Sequence, residues 1–239
     1  MKKIPIILVV LVMLLALGTQ ALAQTPPPFE LEGIVTEVTN GGSLLVDTVS
    51  MGPVMVHVND ETTYEGNARP GVGRYIYVLY NGILTRSIPP QANALKISCH
   101  LLDGLVVSVD TDLNTLLMDT KEFGQVMVHL PQINVVPKEN DFITVYFSGV
   151  MAMSYPGQIS AMKVDTYQKL AGVVAETGED YFMLDGEEGL FRVNIGSESR
   201  VAEGVEKGAR VTVYYAGPMT KSLPPQVFGA VVEVSASGN

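Results

Sequence analysis

Beyond its first two dozen residues the chain carries apolar residues in short runs that alternate with polar ones, the period-two pattern of strands with one buried face. Val54, Val56 and Val58 share one face of such a run, and Met55 and His57 share the other. The run returns as Val126, Val128 and Leu130 against Met127 and His129, and again as Phe191, Val193 and Ile195 against Arg192 and Asn194. No stretch of this region sustains a helical period. Asn40-Gly41-Gly42, Asn81-Gly82 and Thr177-Gly178 supply turn signals between the runs. The pattern predicts an all-β chain.

The recurrence of that run reflects a repeat covering nearly all of the alternating region. Leu31-Glu32-Gly33-Ile34-Val35 opens the first copy, Leu102-Asp103-Gly104-Leu105-Val106 the second and Leu170-Ala171-Gly172-Val173-Val174 the third. Val78-Leu79-Tyr80-Asn81-Gly82 matches Val145-Tyr146-Phe147-Ser148-Gly149 and Val213-Tyr214-Tyr215-Ala216-Gly217. A Ser-x-Pro-x-Gln block then follows in each copy, its Gln residues 67 and 68 positions apart. Residues 31–100, 101–168 and 169–239 are thus read as three tandem units of about six short strands each, after an N-terminal linker over 24–30. Units of this size close most economically into small OB-like antiparallel β-barrels, because closure removes exposed sheet edges. Short connections between copies predict units that abut in an elongated, stiff rod.

The Ser-x-Pro-x-Gln block comprises Ser87, Pro89, Pro90 and Gln91, then Ser154, Pro156 and Gln158, then Ser222, Pro224, Pro225 and Gln226. Proline cannot donate to a strand ladder, so the block interrupts a sheet or runs along its edge. Two readings follow: a barrel-closing crossover in which each Gln amide satisfies backbone groups, or a rigid recognition loop displayed three times. A small residue follows three positions later (Ala94, Ala161, Gly229), and Leu95 and Ile97, Met162 and Val164, and Ala230 and Val232 are expected to face the core. A strand ending in an apolar or aromatic residue, a hairpin Gly, this block and a final apolar strand together resemble the YobA-like family of exported bacterial domains. The resemblance covers the second half of each copy. It implies export and a small β fold, and it transfers no activity and no site residues.

Lys2 and Lys3, the apolar run from Ile6 to Leu17 and Ala21-Leu22-Ala23 form the pattern of a secretory signal peptide over 1–23, cut after Ala23. A secreted, extracellular or periplasmic location is expected, without a stable membrane anchor. Losing Lys2 and Lys3 with that segment leaves 13 basic against 25 acidic residues, a net charge of −12. With basic residues few and scattered, nucleic acid is excluded as a partner on this reading, and adhesion to anionic lipid or wall polymer is disfavoured. The lone Cys99 forms no disulfide within the chain and falls at core parity, as a small buried hydrophobe.

No nucleophile elbow or acyl-transfer constellation is present, and of three His, His57 and His129 occupy equivalent positions in different copies. The chain is read as non-enzymatic, with no cofactor. Met55 with His57 and Met127 with His129 put a thioether and an imidazole on one strand face, a soft-ligand pattern suited to Cu(I), but the third copy has Arg192 and Asn194 there. Asp110-Thr111-Asp112-Leu113-Asn114 resembles the start of a calcium loop but lacks its Gly and its closing acid, and it reads as a turn. The functional expectation is a multivalent binding module of the cell envelope or exterior, acting on an envelope or extracellular protein or glycan. A structural spacer and an envelope copper-handling protein are the alternatives.

Overall fold

The computed structural model describes residues 29–132 and 136–235, and the signal peptide and the linker up to residue 28 lie outside the described residues. Three sheets follow one another along the chain. The first contains β1 (Phe29–Val38), β2 (Leu44–Thr48), β3 (Gly52–His57), β4 (Thr63–Glu65), β5 (Tyr75–Tyr80) and β6 (Gln91–Ser98). The second contains β7 (His100–Asp110), β8 (Thr115–Thr120), β9 (Gly124–His129), β10 (Phe142–Phe147) and β11 (Gly157–Thr166). The third contains β12 (Gln168–Thr177), β13 (Tyr181–Gly186), β14 (Gly189–Asn194), β15 (Arg200–Val201), β16 (Arg210–Tyr215) and β17 (Gln226–Val234). Because β1 begins at Phe29, which pairs with Tyr80, the last two residues assigned to the linker are strand.

Each sheet closes on itself with one topology. In the second unit the order is β10-β11-β9-β8-β7, with β7 returning to β10. All neighbours are antiparallel except β9 and β11, whose parallel register closes the barrel. The first and third units repeat this through the parallel pairs β3–β6 and β14–β17. The chain is therefore all-β, three tandem OB-like barrels. The inward side chains of each unit form a separate buried cluster, around Val46, Val56 and Ile97 in the first, Met118, Val128 and Ile143 in the second, and Phe182, Val193 and Val213 in the third.

The recurring Gly of the opening block has a steric cause. A Cβ on Gly33 would lie 2.2 Å from the Asp47 carbonyl oxygen; on Gly104 or Gly172 it would lie 2.3 Å from that of Asp119 or Asp185. The first strand of each barrel thus crosses the second where no side chain fits. A second shared irregularity corrects the expected parity of the last strand. Tyr80 pairs with Ala94 while Leu79 pairs with Lys96, so Leu95 is an extra bulge residue and points outward. Met162 and Ala230 are the bulge residues of the other copies, and the core parity resumes at Ile97, Val164 and Val232.

The units abut, with one residue between β6 and β7 and one between β11 and β12. Tyr75, Leu101 and Tyr146 form a buried cluster at the first junction. Asn67 braces it, donating from Nδ2 to the Leu101 carbonyl at 2.7 Å and accepting from the Leu101 amide at 3.0 Å. The second junction uses equivalent positions, with Phe142 and Tyr214 stacked at 3.8 Å between centroids. Beside that stack Arg200 of the third unit reaches Asp103 of the second through Nε at 3.0 Å and Nη2 at 2.8 Å, and it also donates to Thr144 Oγ1 at 2.8 Å. Burial works against the Arg200 charge, and the Asp103 carboxylate together with Tyr167 more than offsets it, holding the guanidinium above its ordinary range.

The expected open rod is not what forms. Arg74 of the first unit meets Glu198 of the third, Nε to Oε2, at 3.3 Å, and Gly71, lacking a side chain, leaves room for that carboxylate. All three pairs of units are therefore in contact, and the first and third meet through residues that the repeat does not share.

Candidate binding faces

The outward side chains of the second, third and last strands form one surface on each barrel. Antiparallel register sets Leu45 opposite Met55, Leu117 opposite Met127 and Met183 opposite Arg192. One step toward the hairpin lie Asp47, Asp119 and Asp185, exposed in all three copies. The parallel last strand adds Gln91 beside Met55, Gln158 beside Met127 and Gln226 beside Arg192. The loop between the first two strands borders one side, and the loop carrying Ser-x-Pro-x-Gln, which joins the fourth core strand to the last, borders another.

Each Gln side chain turns onto this face. Gln91 Oε1 lies 2.9 Å from His57 Nε2, whose Nδ1 lies 3.1 Å from Ser43 Oγ. Gln158 Oε1 lies 3.1 Å from His129 Nε2, and Asn194 Nδ2 donates to Gln226 Oε1 at 3.4 Å. The Gln amides thus engage side chains, not the backbone groups expected from the sequence. The closing of the barrel is done by the backbone, where Pro90 and Pro225 carbonyls accept from the Met55 and Arg192 amides at 2.8 and 2.9 Å. In the third copy Arg192 lies over the Tyr181 ring, 3.8 Å from its centroid.

Met55 and His57 do share a face, as do Met127 and His129, yet both ring nitrogens of His57 are engaged within its own unit. Among the described residues no group of three or more His, Cys, Asp or Glu side chains is placed to hold a metal ion. Asp110 accepts from the Asp112 and Leu113 amides at 3.0 and 2.9 Å, the geometry of a side-chain-capped turn. Sequence reasoning passed over Asp47, Asp119 and Asp185, although aligning the copies sets them in one column. Cys99 is buried in the core of the first unit, and burial pushes its thiol up to about 11.

No family model and no curated protein matches the chain. Solved structures do. One is described as a multidomain protein with nucleic acid binding domains, from Streptococcus pneumoniae TIGR4; it is 13% identical over 88% of this chain and 74% of its own, with a TM-score of 0.21. Another is Drosophila Unr CSD456, 11% identical over 88% of this chain and 98% of its own, also with a TM-score of 0.21. The likeness concerns the fold alone; the exclusion of nucleic acid drawn from net charge is corrected by the barrel class itself. OB barrels take oligonucleotides as well as oligosaccharides on the second and third strands and their bordering loops. A sum of charge over the whole chain does not describe that face, so the exclusion is withdrawn.

Proposed function

We propose that this chain is an exported, non-enzymatic binding protein that presents three equivalent OB faces to a repetitive partner. The observation that carries the reading is the recurrence, on the outward surface of each barrel, of one set of residues. Asp47, Asp119 and Asp185 recur, as do the apolar Leu45, Leu117 and Met183 and the amides Gln91, Gln158 and Gln226. Core positions recur because the fold needs them, whereas half-exposed face positions have no such reason. The signal-peptide pattern and the resemblance to YobA-like exported domains support the export part of the reading.

Three weak faces on one chain gain avidity, because binding at one raises the effective concentration at the next, by about 10²–10⁴ overall when geometry permits. The test keeps the three-unit chain and alters the faces singly and together by Leu45→Glu, Leu117→Glu and Met183→Glu. Binding is read against single-stranded DNA and RNA, glycan and protein arrays. Retention that falls stepwise with each altered face, at unchanged melting temperature, supports the reading. No binding to any array, or loss confined to one face, removes it.

A further inference from the structure

The tips of the Ser-x-Pro loops carry side chains that the fold does not use. Ile88 is 99% exposed, Tyr155 100% and Leu223 95%. Each sits between the Ser and the Pro of a loop braced from within. Ser87 Oγ donates to the Pro89 carbonyl at 2.8 Å, Ser154 Oγ to that of Pro156 at 2.7 Å and Ser222 Oγ to that of Pro224 at 2.8 Å. In the first and third copies the backbone N–H groups of Gln91 and Gln226 donate to Thr85 and Thr220 Oγ1 at 2.9 and 2.8 Å. Polar groups are thus satisfied at the base, and a large apolar side chain stands free at the tip. Ile83, Val150 and Met153 add exposed apolar surface in the same loops.

Charge around the tips departs from that of the chain. No Asp or Glu occurs from Tyr80 to Leu102, from Tyr146 to Val164 or from Tyr214 to Val232, although the whole chain carries −10. Arg86 and Lys221 directly precede the Ser of the first and third loops and are exposed.

We propose that these three tips are reversible insertion points into the interface of a lipid bilayer. A side chain in contact with nothing stabilises nothing in the fold, so its apolar character in all three copies requires an external apolar phase. The tips differ in shape, Ile, Tyr and Leu, while agreeing in polarity and protrusion. A fluid interface asks only for the latter, whereas a protein pocket would constrain shape. Acid-free flanks with Arg86 and Lys221 suit headgroup phosphates. Whole-chain charge disfavours anionic lipid, and within these loops the sequence holds no acid to add to that repulsion. The inference uses the loop tips and does not depend on the proposed strand faces.

The test uses the chain without residues 1–23, whose apolar run would itself enter lipid. Vesicles of phosphatidylcholine, alone or with about 30% phosphatidylglycerol, are the probes. The chain contains no Trp, so Tyr155→Trp is a unique reporter at one tip. Expected are co-sedimentation with vesicles, a blue shift of the Trp emission, and stronger binding to the anionic vesicles that Arg86→Gln with Lys221→Gln removes. Ile88→Ser, Tyr155→Ser and Leu223→Ser together should lower partitioning by about 1000-fold, near tenfold per tip, at unchanged melting temperature. Absence of both sedimentation and blue shift, or equal partitioning of the triple serine variant, overturns the proposal. So does tip-dependent capture of a protein without any vesicle binding.

Discussion

Replacing Gly104 by Ala tests whether close crossing of the first two strands is a condition of each barrel. The added Cβ would lie 2.3 Å from the Asp119 carbonyl oxygen and 2.7 Å from Met118 Cγ, where ordinary contact begins near 3.4 Å. Met118 is itself fully buried and cannot swing away, so the strands must part by about 1 Å at the Gly104–Thr120 and Leu105–Asp119 pairs. Loosening one or two ladder hydrogen bonds and disturbing the packing of one core side chain should cost about 2–4 kcal/mol. For a unit of this size that lowers the melting temperature by at least about 8 °C. Thermal melts followed by circular dichroism read the effect, with Gly33→Ala and Gly172→Ala expected to behave alike, since their clashes are with the equivalent carbonyls of Asp47 and Asp185. Gly41→Ala is the control, because nothing lies within 4 Å of its added Cβ. Should all three crossing variants melt with the control, the crossing is not tight and the steric account of the repeated Gly is wrong.

At the second junction Asp103→Ala leaves the Arg200 guanidinium half-buried without its counter-charge, at an expected cost of about 1–3 kcal/mol. A double-mutant cycle with Arg200→Ala should show coupling, and strictly additive losses would mean that the pair is idle. Cys99 links stability to alkaline pH: its thiol titrates near 11 in the fold and near 9 when unfolded, so the unfolded chain releases its proton first. That contribution is fully present below pH 9 and is lost as pH rises from 9 to 11, and Cys99→Ala should flatten the slope of denaturation midpoint against pH across that window. An identical slope in both proteins would show the thiol to be exposed to water.

The repeat, the strand faces and the barrel class are legible in the sequence because period-two burial and duplication act on every copy alike. Val54, Val126 and Phe191 lie in the same inner row whether one reads letters or coordinates. Local irregularity is less legible. Leu95 breaks the alternation by one inserted residue, and nothing in its identity distinguishes a bulge from continued strand. Contacts between units are hidden for the opposite reason. Arg74, Glu198 and Arg200 belong to single copies, so comparing copies discards the residues that fold the array back on itself. Net charge is an average over the chain: −10 coexists with acid-free loops and with outward faces of mixed composition.

Gln158→Ala separates what the proline loop does for the barrel from what it offers outside it. From sequence, the amide of each Gln was expected to satisfy buried backbone groups, and its removal to cost about 1–3 kcal/mol. In the structure Gln158 Oε1 meets only the exposed His129 ring at 3.1 Å, while the backbone of the same residue makes the closing contacts: its carbonyl accepts from the Ala152 amide at 2.8 Å, and it pairs in parallel with Met127. Alanine keeps that backbone. The lost bond joins two side chains that water can reach, and such a bond contributes at most about 0.5 kcal/mol net. Gln158→Ala should therefore melt with the parent chain, and Gln91→Ala, whose His57 partner is less exposed, should lose only slightly more. Binding to whichever array retains the parent chain should fall in both variants, since each loses a polar group from the middle of a strand face. A drop of 8 °C or more in Gln158→Ala, with binding per folded molecule intact, would return the Gln to the barrel's own hydrogen bonding and take it out of the candidate face.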